Sequence, residues 1–344
     1  MDRKLNYAII GNGNLGKACK QQILKRPDEF NLVGVFSQRE SSETIPLKEI
    51  PNFRDQIDVG IFCGSSKGNS PAPEIVPWLT SNDVGISTVD SYDEHKEILN
   101  GNYQNKIRQA MYRDRIIIPA GTQWQGIKLH KDITVGESGT TAVIGAGWDP
   151  GILSIQRIYN DAIMPDGVQN TLYGGTQGGL SMGHTTALKG IPGVIQAAQF
   201  TFAREDATQK ALSGKAVDYY DRHRRVCYVV TEPGANKADI EGQIRNMDGY
   251  YKDQLTEVHF ITMEEFMNNF AAKKSHGGQV ISANENANIN FSVNMKSNPD
   301  FTASVMLAYG KATHKMNKRG MTGVRTVADV PPSYLMDKDT DFTI

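Results

Sequence analysis

Leu5-Asn6-Tyr7-Ala8-Ile9-Ile10-Gly11-Asn12-Gly13-Asn14-Leu15-Gly16 is the stretch that decides the fold. Its first half is a short apolar run rich in β-formers, and beyond it Leu15, Ala18, Cys19 and Ile23 recur at helical spacing. The segment therefore reads strand, glycine turn, helix, the context that separates a dinucleotide loop from a chance glycine cluster. Gly11 permits the tight turn, Gly13 lets backbone amides approach a pyrophosphate, and Gly16 lets the helix lie close on the strand. The helix N-terminus adds partial positive charge. Gly11, Asn12, Gly13, Asn14, Leu15 and Gly16 are accordingly assigned to cofactor binding.

Working outward, a second strand is expected over residues 32–36. Further short apolar runs at 59–63, 85–89 and 142–146 are bounded by turn residues, as suits parallel strands buried on both faces. Cys63, Gly64 and Ser65, at the end of the third run, join the cofactor set. A fold that prefers NAD usually ends its second strand on Asp or Glu, but here the chain reads Phe36-Ser37-Gln38-Arg39. A hydroxyl, an amide and a guanidinium at that turn favour the extra phosphate of NADP, with Arg39 making charge-assisted bonds. The competing reading is a surface arginine beside Glu40.

From Gly151 onward the texture changes. Ile289, Phe291, Val293 and Met295 alternate with Asn290, Ser292, Asn294 and Lys296, the pattern of a half-exposed mixed or antiparallel sheet. Helices are expected near 187–190, 205–213 and 264–270, the middle one closed by Gly214. After Asn298-Pro299-Asp300, Val305, Met306, Tyr309 and Met316 suit a helix returning to the first domain. The expectation is an α/β chain: a Rossmann-type dinucleotide-binding domain over 1–149 and 302–344, and an α+β substrate-binding and dimerisation domain over 150–301.

A length of 344 residues exceeds the usual span of one hydrophobic core, so two domains are the prior. A formal net charge of -1 gives no electrostatic reason to expect nucleic acid or an anionic membrane as partner. Cys19, Cys63 and Cys227 are far apart and odd in number, which argues against a disulfide scaffold or structural zinc, and no histidine pair has metal-ligand helical spacing. No metal is expected. With neither a secretory signal nor a membrane-spanning run, the expected location is cytoplasmic.

Several polar signatures lie outside the glycine loop: Thr88-Val89-Asp90-Ser91-Tyr92-Asp93, Gly147-Trp148-Asp149-Pro150-Gly151, Ser181-Met182-Gly183-His184, Ser275-His276-Gly277-Gly278 and Asn298-Pro299-Asp300-Phe301. In this order, with the Phe-Ser-x-Arg turn and His314-Lys315-Met316, the chain resembles the NADP-dependent meso-diaminopimelate dehydrogenases over nearly its whole length. The resemblance implies reversible oxidative deamination of the D-centre of meso-2,6-diaminopimelate to L-2-amino-6-oxopimelate and ammonia. It also implies a homodimer whose partner otherwise is the small amino acid substrate.

Carried over, Asp93 and Asp149 resemble the family's carboxylates near the reacting amino group, and Trp148, Met182 and Gly183 flank the substrate. Thr201, Arg225, His276 and Asn298 resemble the residues that hold the distal L-amino acid group. Asp149 also suits the start of a turn and Asp93 a helix cap, and either aspartate or water could take the proton. In Arg222-His223-Arg224-Arg225, ahead of a strand at 226–230, one inward arginine with exposed neighbours is expected, and Arg225 is the choice. A lone histidine such as His184 reads as structural.

Two features depart from the family. Met182 and Thr186 stand where a glutamine and an aspartate are frequent, so tolerance of other D-amino acids could be broader. An insertion is read over 111–141, as an oligomer contact or pocket rim. The rivals are a dehydrogenase of other D-amino acids, a dihydrodipicolinate-reductase-like enzyme, and a non-catalytic NADP-binding sensor.

Overall fold

A computed structural model describes residues 4–39, 41–63, 87–90, 141–174, 178–321 and 323–336. The chain forms two compact units, Met1–Ile155 with Pro299–Ile344, and Gln156–Asn298.

In the first unit, β1 (Leu5–Ile10) leads through the glycine turn into α1 (Asn14–Lys25), followed by β2 (Phe30–Ser37) and β3 (Ile45–Pro46). Then come β4 (Val59–Phe62), β5 (Ser87–Asp90) and β6 (Thr141–Ile144). Pairing is parallel throughout. The strand order β6-β5-β4-β1-β2-β3 is that of a doubly wound nucleotide fold, in which connections turn in opposite directions on either side of β1. Ligands of such sheets bind at the carboxyl ends of the strands, at that reversal. The core explains the continuous apolar runs: Tyr7, Ile9, Val59, Ile61 and Val143 are buried with Cys19 and Ile23 of α1. Strand β6 stops short of the expected 146 because Gly145 takes a φ of 69°.

In the second unit, α2 (Ile152–Ile163), which begins in the first unit, leads to β7 (Val168–Tyr173), β8 (Gly179–Leu180), α3 (Met182–Lys189), β9 (Val194–Ala203) and α4 (Glu205–Leu212). Next follow β10 (His223–Thr231), α5 (Lys237–Arg245), β11 (Leu255–Phe260) and α6 (Met263–Asn269). The run closes with β12 (His276–Ala283) and β13 (Asn288–Met295). One sheet is mixed, β11-β10-β9-β8, with β10 and β11 parallel, and the other is antiparallel, β13-β12-β7. Val293 and Met295 of β13 are buried while Asn290, Ser292 and Asn294 face out, as the alternation required. Gly214 follows α4 at a φ of 75°, its N–H bonding Ala211 O at 3.1 Å. Thr262 and Glu265 form a reciprocal capping box that starts α6. The chain then returns to the first unit through α7 (Asn298–Lys318) and β14 (Gly323–Thr326), which pairs parallel with β6 and ends the seven-stranded sheet.

Candidate active site

One group of candidate residues lies along the carboxyl edge of the parallel sheet. Gly11 follows β1 with a φ of 110°, a conformation that L side chains resist, and its N–H bonds Phe36 O at 2.8 Å. Gly13 caps α1 without a side-chain hydrogen bond, and no acidic residue occupies the first turn. A Cβ on Gly13 would meet nothing within 4 Å, whereas one on Gly16 would fall 2.0 Å from Gly11 O. The turn thus leaves helix N-terminal amides uncapped and bare on the Gly13 side, and packs tightly on the Gly16 side. Such a terminus suits an anion. Asn12 is half-buried, Asn14 exposed and Leu15 half-buried against the core.

After β2, Ser37 is buried and its Oγ accepts the Arg39 N–H at 3.1 Å, while Gln38 and Arg39 are exposed. The strand therefore ends on donors facing solvent, with no carboxylate among the described residues of that turn. Cys63 follows β4, its N–H bonding Ile10 O at 2.7 Å and its Sγ 3.7 Å from that of Cys19. Gly64, Ser65, Asp93 and most of the segment 111–141 lie outside the described residues. Strand β5, which Asp93 would follow, ends at Asp90 on this same edge. Beyond β6, Trp148 is buried and Asp149 half-buried in a closed turn in which Ile152 N–H and Leu153 N–H bond the carbonyls of Gly147 and Trp148. Asp149 lies within that turn.

A separate group of candidate residues lies in the mixed sheet. The antiparallel register sets Arg225 of β10 opposite Thr201 of β9, and Gly179 of β8 lies on the other side of Thr201. Arg225 is only 5% exposed, its Nη1 donates to Thr201 Oγ1 at 3.4 Å, and its Nε has no hydrogen-bond partner. Among the described residues no carboxylate pairs with it. A buried guanidinium is costly unless an anion answers it. Burial also lowers the Arg225 pKa, although the group stays charged.

His276 packs over Gly179, where a Cβ would stand 2.7 Å from its Nδ1. Its Nδ1 lies 2.8 Å from the Gly277 nitrogen and 3.1 Å from the Gly277 carbonyl oxygen. Asn298 bonds Lys274 O through its N–H at 3.0 Å, and His276 pairs with Met295, so both stand at one end of the antiparallel sheet. Gly183 is exposed in the first turn of α3, behind Met182. The structure therefore brings Thr201, Arg225 and His276 together, with Asn298 at the His276 end.

One expectation needs correction: not all neighbours of Arg225 are exposed. His223, two residues earlier on the same strand face, is 2% exposed, and its Nε2 accepts the Tyr173 N–H at 2.8 Å. Arg224 does point to the other face, stacked 4.8 Å over Phe202 and paired with Glu257 at 2.8 Å. Sequence reading also passed over Gln199, fully buried, whose Nε2 donates to Thr201 Oγ1 at 3.1 Å. Its place two residues before Thr201 on a strand was the available signal.

His184 bonds Ser181 Oγ through Nδ1 at 2.7 Å and lies edge-on to Tyr250 and Tyr251. Burial, and next the Arg225 charge, push His184 and His223 down to about 3. Both are neutral in the folded chain at ordinary pH, while the unfolded chain takes up their protons near 6.5. Stability is therefore full above that value and is lost as pH falls from it toward about 3. We expect a loss of roughly 2 kcal/mol per histidine by about pH 5. Thermal melts between neutral and acid pH check this, and a melting temperature flat through that window would refute it.

A family model described as the diaminopimelic acid dehydrogenase C-terminal domain matches residues 147–297. The chain is 34% identical to the meso-diaminopimelate D-dehydrogenase of Acetivibrio thermocellus, over 98% of this chain and 96% of that relative. It superposes on the Corynebacterium glutamicum DAP dehydrogenase in complex with DAP with a TM-score of 0.78 and 32% identity, covering 98% and 97% of the two chains. On an engineered D-amino acid dehydrogenase bound to NADP+ the TM-score is 0.73 at 31% identity, covering 98% and 97%. These relatives, matched over nearly the whole length of the chain, make it an amino acid dehydrogenase, an oxidoreductase. Within that class, the chain belongs to the meso-diaminopimelate D-dehydrogenase family.

No helix among the described residues is long and apolar enough to cross a membrane. Among those residues, no group of three His, Cys, Asp or Glu could hold a metal ion.

Proposed function

We propose that this chain is an NADP-dependent dehydrogenase that oxidatively and reversibly deaminates the D-centre of meso-2,6-diaminopimelate, giving L-2-amino-6-oxopimelate and ammonia. The observation that carries the reading is Arg225, a guanidinium 5% exposed with no carboxylate partner among the described residues, in a member of this family. The substrate's distal carboxylate answers that charge, with Thr201, His276 and Asn298 completing the grip. A planar fork fits a carboxylate through paired N–H donors. Anchoring the distal end selects which stereocentre reacts, because both ends carry a carboxylate and an ammonium and only one configuration at the anchored carbon sets its carboxylate on the guanidinium with its ammonium directed elsewhere.

The glycine turn fits a dinucleotide: its Gly13 side is bare, its helix amides are uncapped, and the β2 end offers Ser37, Gln38 and Arg39 without a carboxylate. When bound, NADP supplies the hydride acceptor. The chain's own task is to hold the amino group near Asp149 and Asp93, either of which can take the ammonium proton before the carbon-hydrogen bond breaks, and water then splits the imine into ammonia and the oxo acid. Trp148, Met182 and Gly183 flank the substrate. Arg39→Ala should raise KM for NADP by about tenfold, with NAD little affected, since only the extra phosphate meets that guanidinium. Equal losses for both cofactors, measured as kcat/KM, would refute the assignment.

The chain is further proposed to work as a cytoplasmic homodimer. In support, all three cysteines are free thiols and the outer edge of β13 has no partner strand among the described residues. A monomeric mass by light scattering would overturn the dimer. The function itself is tested by NADP reduction with meso, LL and DD diaminopimelate offered side by side. Turnover of the meso isomer with ammonia release is expected. LL turnover at the meso rate, or reduction without ammonia, sinks the reading.

A further inference from the structure

A threonine hydroxyl has one proton to give and two lone pairs to receive with, and its rotor is otherwise free. At Thr201 both receiving positions are taken: Gln199 Nε2 lies 3.1 Å and Arg225 Nη1 3.4 Å from Oγ1. A guanidinium can only donate, so Arg225 never accepts the Thr201 proton. The orientation of the Gln199 amide then decides whether that proton is consumed inside the sheet or left over.

Gln199 is fully buried, and its Oε1 has no hydrogen-bond partner. The opposite orientation would place Oε1 on Thr201, absorb the hydroxyl proton, and leave both N–H donors of Nε2 in the same dry position. In the observed orientation one N–H of Nε2 is on Thr201 while the other and Oε1 lack partners, so two polar groups are stranded either way, and the observed orientation is the one that leaves Thr201 its proton. The backbone keeps the side chain in place from both directions: Gln199 N–H bonds Thr185 Oγ1 at 3.0 Å, and its carbonyl accepts Ser181 N–H at 3.0 Å.

We propose that Gln199 is a positioning residue that holds the Thr201 hydroxyl as a hydrogen-bond donor toward the substrate's distal carboxylate. The inference rests on the reading that Arg225 and Thr201 grip that carboxylate, and it deepens it into a specificity device. A hydroxyl locked as donor, beside a guanidinium that can only donate, welcomes a carboxylate and opposes an ammonium in the same place. The substrate carries both groups on its distal carbon, so the lock sets which of them faces the arginine.

The test is steady-state kinetics with diaminopimelate on the wild type, Gln199→Met, Thr201→Val and the double variant. Gln199→Met keeps the length of the side chain and removes its donors. It should raise KM by about tenfold while kcat stays within about twofold. In the Thr201→Val background the same change should add nothing, because the hydroxyl through which it acts is gone. A fall in kcat at unchanged KM, or a full additional loss on top of Thr201→Val, overturns the proposal.

Gln199→Glu provides a second, independent variant, with Arg225 at hand as counter-charge. A carboxylate there accepts the Thr201 proton and competes for the guanidinium, so KM should rise further than in Gln199→Met, and an unchanged KM overturns the inference. If Thr201→Val and Arg225→Met both leave KM untouched, the distal-anchor reading itself fails. If those two raise KM while neither Gln199 variant does, only the role of Gln199 falls.

Discussion

Arg225→Met is expected to raise KM for diaminopimelate by about two to three orders of magnitude, the range for losing one partner of a buried, hydrogen-bonded charge pair. The fold should not weaken in return. In the ligand-free chain the guanidinium is buried, its Nε lacks a partner, and no described carboxylate offsets its charge. Replacing such a group by an apolar side chain of similar length removes the cost of keeping a charge out of water, so the melting temperature should hold or rise. The same substitution should also ease the acid sensitivity described above. The Arg225 charge ranks second only to burial in depressing His184 and His223, so both would protonate at higher pH in the folded variant. Their folded values would then lie nearer the unfolded one, and less stability would be lost on acidification. Kinetics and acid melts of one variant check both halves. Unchanged KM would remove Arg225 from the site, and an unshifted acid midpoint would show that its charge does not reach the histidines.

Gly16→Ala is the second large effect, and it lies at the opposite end of the chemistry. Its Cβ would stand 2.0 Å from Gly11 O and 2.9 Å from Gly11 C, both backbone atoms. Gly11 cannot easily retreat, because its N–H bonds Phe36 O at 2.8 Å and its φ is already 110°. Either the turn opens or α1 lifts from β1, at a cost of about 3 kcal/mol. A displaced turn also moves the helix amides off the phosphates, and misplacement of this order lowers productive cofactor engagement by about a hundredfold. Thermal melts and a fluorescence titration with NADPH measure the two effects. Gly13→Ala is the matched control, since its Cβ meets nothing within 4 Å of the protein. It should melt like the wild type yet bind the cofactor less well, because the space it fills is the one proposed for the pyrophosphate. If Gly16→Ala binds NADPH as the wild type does, the turn is not the phosphate cradle.

Sequence by itself determined what local patterning can encode. The apolar run and glycine spacing of residues 5–16 specify strand, turn and helix, and short apolar runs specify strands buried on both faces. The same local logic reads the β2 end as lacking a carboxylate, the alternation of β13, the Gly214 cap, and the inward placement of Arg225 in a basic cluster. Tertiary structure alone decided who meets whom. Thr201 and Arg225 are 24 residues apart and become partners only through the antiparallel register of β9 and β10. Gln199, silent in sequence, matters because that register places its amide on the same hydroxyl, and His223 escaped notice because its backbone partner, Tyr173, lies 50 residues away. Periodicity tells a residue which face it occupies, and it carries no information about the strand alongside or about how much water is removed. Pairing register and desolvation are properties of the assembled core, and they are what turn a buried arginine and two ordinary histidines into a charged socket with neutral walls.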